Sequence, residues 1–75
     1  MDDKLKDILS ILFEVDKSEI TDTFSSDDTD YWDSITHMNM VVAIEEEFDI
    51  EFDDEEILEL LNFSLIKNIV NSKIV

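Results

Sequence analysis

Leu5, Ile8, Leu9 and Leu12 recur at spacings of three and four residues, which places them on one face of a helix running from about Asp3 to Glu14. Asp2 and Asp3 stand at its start, where the positive end of the helix dipole favours negative charge. A second stripe, Ile35, Met38, Val41, Ile44 and Phe48, marks a helix from Ser34 to Phe48, preceded by Asp33, a good N-cap type. A linker holding Ile50 and Phe52 leads to Asp53-Asp54-Glu55-Glu56, which opens a brief third helix ending near Leu61. Ser64 is read as the cap of a last helix with Leu65, Ile66, Ile69, Val70 and Ile74 inward and Lys67 and Lys73 on its polar side. Residues 15–33 form a long loop anchored by Ile20, Phe24 and Trp32, and loops of that length tend to be functional or pinned. The pattern predicts an all-α fold: a small four-helix bundle, three helices longer and the third short, in one domain spanning 1–75.

Composition changes this picture in two ways. With neither glycine nor proline present, Asp, Asn, Ser and Thr must mark the boundaries. With no cysteine, there is no disulfide and no Cys-based zinc site, which fits a reducing compartment. The start Met1-Asp2-Asp3-Lys4 lacks a cationic leader, and no apolar run reaches the length of a membrane span, so a soluble, cytoplasmic protein is expected.

Charge matters more. There are 21 acidic residues against five lysines, a net charge of −16. Residues 21–63 carry fifteen of the acids and no lysine, so the negative field lies between Lys17 and Lys67. It repels nucleic acid and anionic membranes and steers basic protein surfaces toward the chain. A monomer is expected at this charge. The 44% apolar share, organised periodically, argues for a packed fold rather than a disordered tail. Glu45, Glu46 and Glu47 crowd the last turn of the second helix against the dipole preference, which invites a functional explanation.

The segment that can carry chemistry is Asp33-Ser34-Ile35. A serine opening a helix lies where free backbone N–H groups and the positive dipole end converge, so a phosphodiester on its hydroxyl would be well placed. Taken alone, Asp-Ser before a helix is also an ordinary cap. Asp27, Asp28, Asp30 and Asp33 resemble a calcium loop only superficially, since the glycine and the distal glutamate are missing; no metal site is expected beyond weak divalent binding. His37, without a second histidine, reads as a surface residue of the second helix. Of Met38 and Met40, one is read as a surface contact and one as packing, and Trp32 as plugging the loop onto the bundle.

These residues resemble the acyl carrier protein family. Its Asp-Ser-Leu signature is matched by Asp33-Ser34-Ile35, and its Ala-Leu-Glu-Glu-Glu-Phe helix ending by Ala43-Ile44-Glu45-Glu46-Glu47-Phe48 at the same spacing. Asp54-Glu55-Glu56, the length, the acidity and the helix order agree as well. The resemblance implies that Ser34 receives 4′-phosphopantetheine from coenzyme A through a magnesium-dependent phosphopantetheinyl transferase, with Asp33 as a negative handle beside it. It implies a carrier rather than an enzyme, with acyl groups held as thioesters and presented to loading, condensing and acyl-transfer enzymes of fatty acid, polyketide or related synthesis. Partners with basic patches would dock on Asp33, Ile35, Met38, Asn39, Val42, Glu45 and Glu46. The sequence departs from the family pattern at Trp32 and Asp49, where glycine is common, at Asp53, where proline is usual, at Asn39, where an acid is usual, and at Ile57, where a small residue often lines an acyl cavity. These departures favour a dedicated pathway carrier over a housekeeping one. The alternative is an unmodified acidic helical module that covers a basic protein surface. An enzyme has no nucleophile–base pair to draw on.

On either reading, fifteen acids without local counter-charge repel one another. Added salt or divalent cations should therefore raise the melting temperature, measured by circular dichroism; a melting point insensitive to both would refute the strain.

Overall fold

The computed structural model describes residues 2–74, so Met1 and Val75 lie outside it. Its helices are α1 (Asp2–Phe13), α2 (Ser34–Phe48), the short α3 (Asp54–Glu59) and α4 (Phe63–Ile74). The all-α expectation holds: the described residues contain no strand beyond a single bridge between Ser25 and Asn62. The 15–33 connection carries two single turns of 3-10 helix, Lys17–Glu19 and Ser26–Asp28.

One core joins the helices. Leu5, Leu9 and Phe13 enter it from α1, Met40, Val41 and Ile44 from α2, and Phe63, Ile66 and Val70 from α4. The connections add Ile20, Phe24, Phe52 and Leu60. Each such side chain contributes on the order of 1.5–3 kcal/mol on burial.

The stripe expected on α2 is only half right. Ile35 and Met38 face solvent, whereas Val41 and Ile44 are buried with Met40. Three successive steps of three residues turn by about 900°, which carries Ile44 to the side opposite Ile35. On α4, Leu65 and Ile74 are likewise exposed rather than inward.

The start of α4 also differs from expectation. Asn62, not Ser64, is the cap, its side-chain oxygen accepting the Leu65 N–H at 2.9 Å. The N–H groups of Phe63 and Ser64 donate to the carbonyls of Phe24 and Asp22 in the loop. Helix α3 stops at Glu59, two residues before the expected end, because Leu60 leaves the helical conformation and is buried in the core. Its start follows the pattern: Asp53 and Glu56 form a reciprocal capping box.

Without glycine, α1 and α2 end in the same way. Glu14 and Asp49 take the left-handed conformation, each at φ 54°. The next N–H in each case, Val15 and Ile50, donates back to the carbonyl of Ser10 and Glu45. This is the Schellman ending, in which glycine is the unstrained occupant. Asp49→Gly and Glu14→Gly should each stabilise the fold by roughly 0.5–1 kcal/mol through relief of that strain. Equal or lower stability of both variants in urea unfolding would contradict this account.

Candidate functional site

Ser34 is the first residue of α2 and is exposed. The cap is supplied by its neighbour: Asp33 Oδ1 accepts the Thr36 N–H at 2.8 Å, and the Asp33 carbonyl accepts the His37 N–H. The Ser34 hydroxyl makes no hydrogen bond among the described residues. The helix start therefore does not need the serine oxygen, and the reading of Ser34 as an ordinary cap fails. The Thr36 N–H holds the Asp33 carboxyl below its ordinary value of 3.8.

The loop that delivers Ser34 is fixed at several points. Trp32 stacks on Phe13 with ring centroids 4.5 Å apart and tilts against Phe24 at 5.9 Å. Thr29 donates its hydroxyl to the Phe13 carbonyl at the end of α1. Ile20 and Phe24 are buried, as the sequence predicts for loop anchors.

Beside Ser34 lies a cleft of about 420 Å³ between the loop end, α2 and α3. Trp32, His37, Met38, Ile57, Leu58 and Leu61 are among its walls. Histidine 37 is not the surface residue expected. It is half-buried, and its Nδ1 accepts the Trp32 indole N–H at 2.9 Å while its Nε2 lies 2.9 Å from the Ile57 carbonyl. Since the indole can only donate and the carbonyl only accept, Nδ1 is the acceptor and Nε2 the donor in this pair of contacts.

The described residues hold no group of three His, Cys, Asp or Glu side chains able to bind a metal ion. Asp28 and Asp33 of the acidic loop are instead engaged in capping Ser25 and Thr36. No described helix is long and apolar enough to cross a membrane.

No protein-family model matches the chain. Among solved structures it is similar to the solution structure of a holo acyl carrier protein from Geobacter metallireducens. The two share 33% sequence identity and superpose with a TM-score of 0.84, over 96% of this chain and 83% of that one. The chain belongs to the acyl carrier protein family.

In this acyl carrier protein, Ile35, Met38, Asn39, Val42 and Glu46 form an exposed face along α2, contiguous with Ser34. Glu45 sits apart from them: it is half-buried, and its carboxylate accepts the Phe52 N–H at 2.9 Å. Glu47 is tied to Lys4 at 3.2 Å. Part of the acidic helix ending therefore serves the fold. Leu58 and Leu61, 75% and 62% exposed on the α3 side of the cleft, leave no signal in the sequence, because a helix of 6 residues is too short for a periodic stripe to assign its faces. The His37 bridge left no signal either, since one of its partners is a backbone carbonyl twenty residues away.

The low titration of Asp33 means that its capping stabilisation is present above its ordinary value and is lost as pH falls through the lower, folded value. Asp33→Ala should melt lower than the parent at pH 7, and the gap between the two should narrow as pH falls below 3.8 and through the lower, folded value. Relief of acidic repulsion is common to both proteins, so the gap isolates Asp33. A gap independent of pH would show that the carboxylate charge does not matter there.

Proposed function

We propose that the chain is a cytoplasmic, monomeric carrier that bears 4′-phosphopantetheine on the Ser34 Oγ and performs no catalysis itself. The observation that carries this reading is the exposed, unbonded hydroxyl of Ser34 at the head of a helix already capped by Asp33. A fold that spends Asp33 on the cap leaves the serine oxygen free to react with coenzyme A. The similar Geobacter protein was solved in its holo form, and we extend that state to this chain.

The residues at hand suit the group. The backbone N–H groups of Ser34 and Ile35 head the helix without carbonyl partners inside it, so a phosphodiester on Oγ meets the positive end of the α2 dipole. Asp33 stands beside the attachment atom as an acidic contact for the transferase and its magnesium. Met38, Leu58 and Leu61 offer apolar surface to the arm as it leaves the serine. When bound, the group supplies a terminal thiol that holds acyl cargo as a thioester.

Docking follows from the charge. Ile35, Met38 and Val42 give an apolar strip, and Glu46 and Asp33 give the acidic margin that basic patches on loading, condensing and acyl-transfer enzymes would meet. Such pairing raises encounter rates and keeps complexes short-lived, which suits a shuttle serving several enzymes in fatty acid, polyketide or related synthesis. Glu45 takes part only through its exposed portion, its carboxylate being engaged with Phe52.

The test is intact mass spectrometry after incubation with coenzyme A, magnesium and a broad-specificity phosphopantetheinyl transferase, on the parent and on Ser34→Ala. The expected result is the gain of one phosphopantetheine unit by the parent and none by the variant. No gain with this transferase or with one from the same source organism would favour the unmodified acidic module instead.

A further inference from the structure

The chain from Trp32 through His37 to the Ile57 carbonyl joins three elements across the inner wall of the cleft. It links the loop end, the second turn of α2 and α3. The interior is filled: Phe13, on which Trp32 stacks, is fully buried, as are Met40 and Ile44, and the fully buried Leu60 lines the cleft. In front of the wall, Leu58, Leu61 and Met38 are exposed around the cleft mouth. An apolar group tethered at Ser34 thus has two places to go: the open cleft, or the packed core beyond the wall.

We propose that Trp32, His37 and Ile57 act as a bolt that bars the core, so that the acyl group carried on the Ser34 arm stays in the surface cleft. The inference rests on the carrier reading above and gives it a cargo class: short acyl groups, for which the cleft is enough, rather than long alkyl chains that need an interior. Passing the bolt would strip the hydrogen bonds of the Trp32 indole and of both ring nitrogens of His37 at once, and leave the Ile57 carbonyl only the Leu60 N–H. All of these lie at half-buried residues, where an unpartnered polar atom is unfavourable. The same passage would pull Trp32 from its stack on Phe13 and unseat the loop that positions Ser34. Ile57 adds a branched side chain to the wall, so the barrier is steric as well as polar.

The experiment loads Ser34 with octanoyl-phosphopantetheine from octanoyl-coenzyme A and compares it with the unacylated holo protein. Three signals are read: Trp32 emission, the methyl resonances of Ile44 and Ile66, and retention on a hydrophobic-interaction column. Trp32 is the sole tryptophan and lines the cleft, so its emission reports a chain lying against the cleft wall, while the methyls report entry into the core. Changed emission, unchanged core methyls and longer retention of the octanoyl form are expected, because the chain lies against Trp32 in the open cleft and outside the core. In a His37→Ala/Ile57→Ala double variant, octanoylation should shift the core methyls and raise the melting temperature, neither of which happens in the parent. His37→Gln alone keeps a polar side chain in place, and its octanoyl form should behave between the two, should the double variant fail to fold. A loaded parent whose core methyls shift and whose retention equals that of the holo form overturns the bolt and leaves the carrier reading standing. No octanoyl mass gain at Ser34 overturns the carrier reading itself.

Discussion

Trp32 lies flat on Phe13, and the placement of the site depends on that contact. The stretch between Phe13 and Ser34 contains neither glycine nor proline, the residues that ordinarily fix a loop's course through backbone restriction or tight turns. It is held by side chains instead. Phe13, Phe24 and Trp32 form an aromatic cluster between the end of α1 and the loop, with Ile20 buried nearby in the same core. Thr29 and the carbonyls of Asp22 and Phe24 then tie the loop to α1 and to the head of α4. Without this stack, Asp33 and Ser34 would lead α2 from a free tether. With it, the serine hydroxyl has a fixed place beside the cleft.

The acidic field is managed in a similar way, by bringing distant charges together. Lys67, from the basic C-terminal segment, reaches Asp22 at 2.7 Å and Asp2 at 3.8 Å, and it also lies over the Phe63 ring. Lys73 reaches Glu56 at 2.7 Å, and Lys4 reaches Glu47. Their partners respond: Lys67 holds the Asp22 carboxyl, and Lys73 the Glu56 carboxyl, below their usual range, while Asp22 in turn raises Lys67. Single surface pairs contribute little to stability. Their effect here is on distribution: they pair Asp22, Glu47 and Glu56 and leave Glu46, on the face next to Ser34, without an ion pair among the described residues.

Function and fold meet at α2, which does three jobs with three sides. Met40, Val41 and Ile44 hold it in the core; Ile35, Met38 and Val42 form an exposed apolar strip; His37 locks it to the loop and to α3. The assignment of a residue to one side or another follows from about 100° of rotation per position, which is why Ile35 and Ile44 take opposite roles although both are isoleucine.

The sequence by itself determined the helices that carry strong periodicity and the one residue that chemistry singles out. Ser34 to Phe48 came out to the residue, because Asp33 is a capping side chain and Phe48 closes an apolar pattern, both local properties. The anchoring roles of Ile20 and Phe24 and the exposure of Ser34 were legible for the same reason. Local rules failed where two candidates competed nearby: Asn62 and Ser64 are both capping types, and only the loop carbonyls of Asp22 and Phe24 waiting opposite Phe63 and Ser64 decided between them. Tertiary structure alone decided what His37, Glu45 and Lys67 do. Each makes its defining contact with a group outside its own helix, a backbone carbonyl, a backbone N–H or a carboxylate, and helical spacing carries no record of partners brought together only by folding.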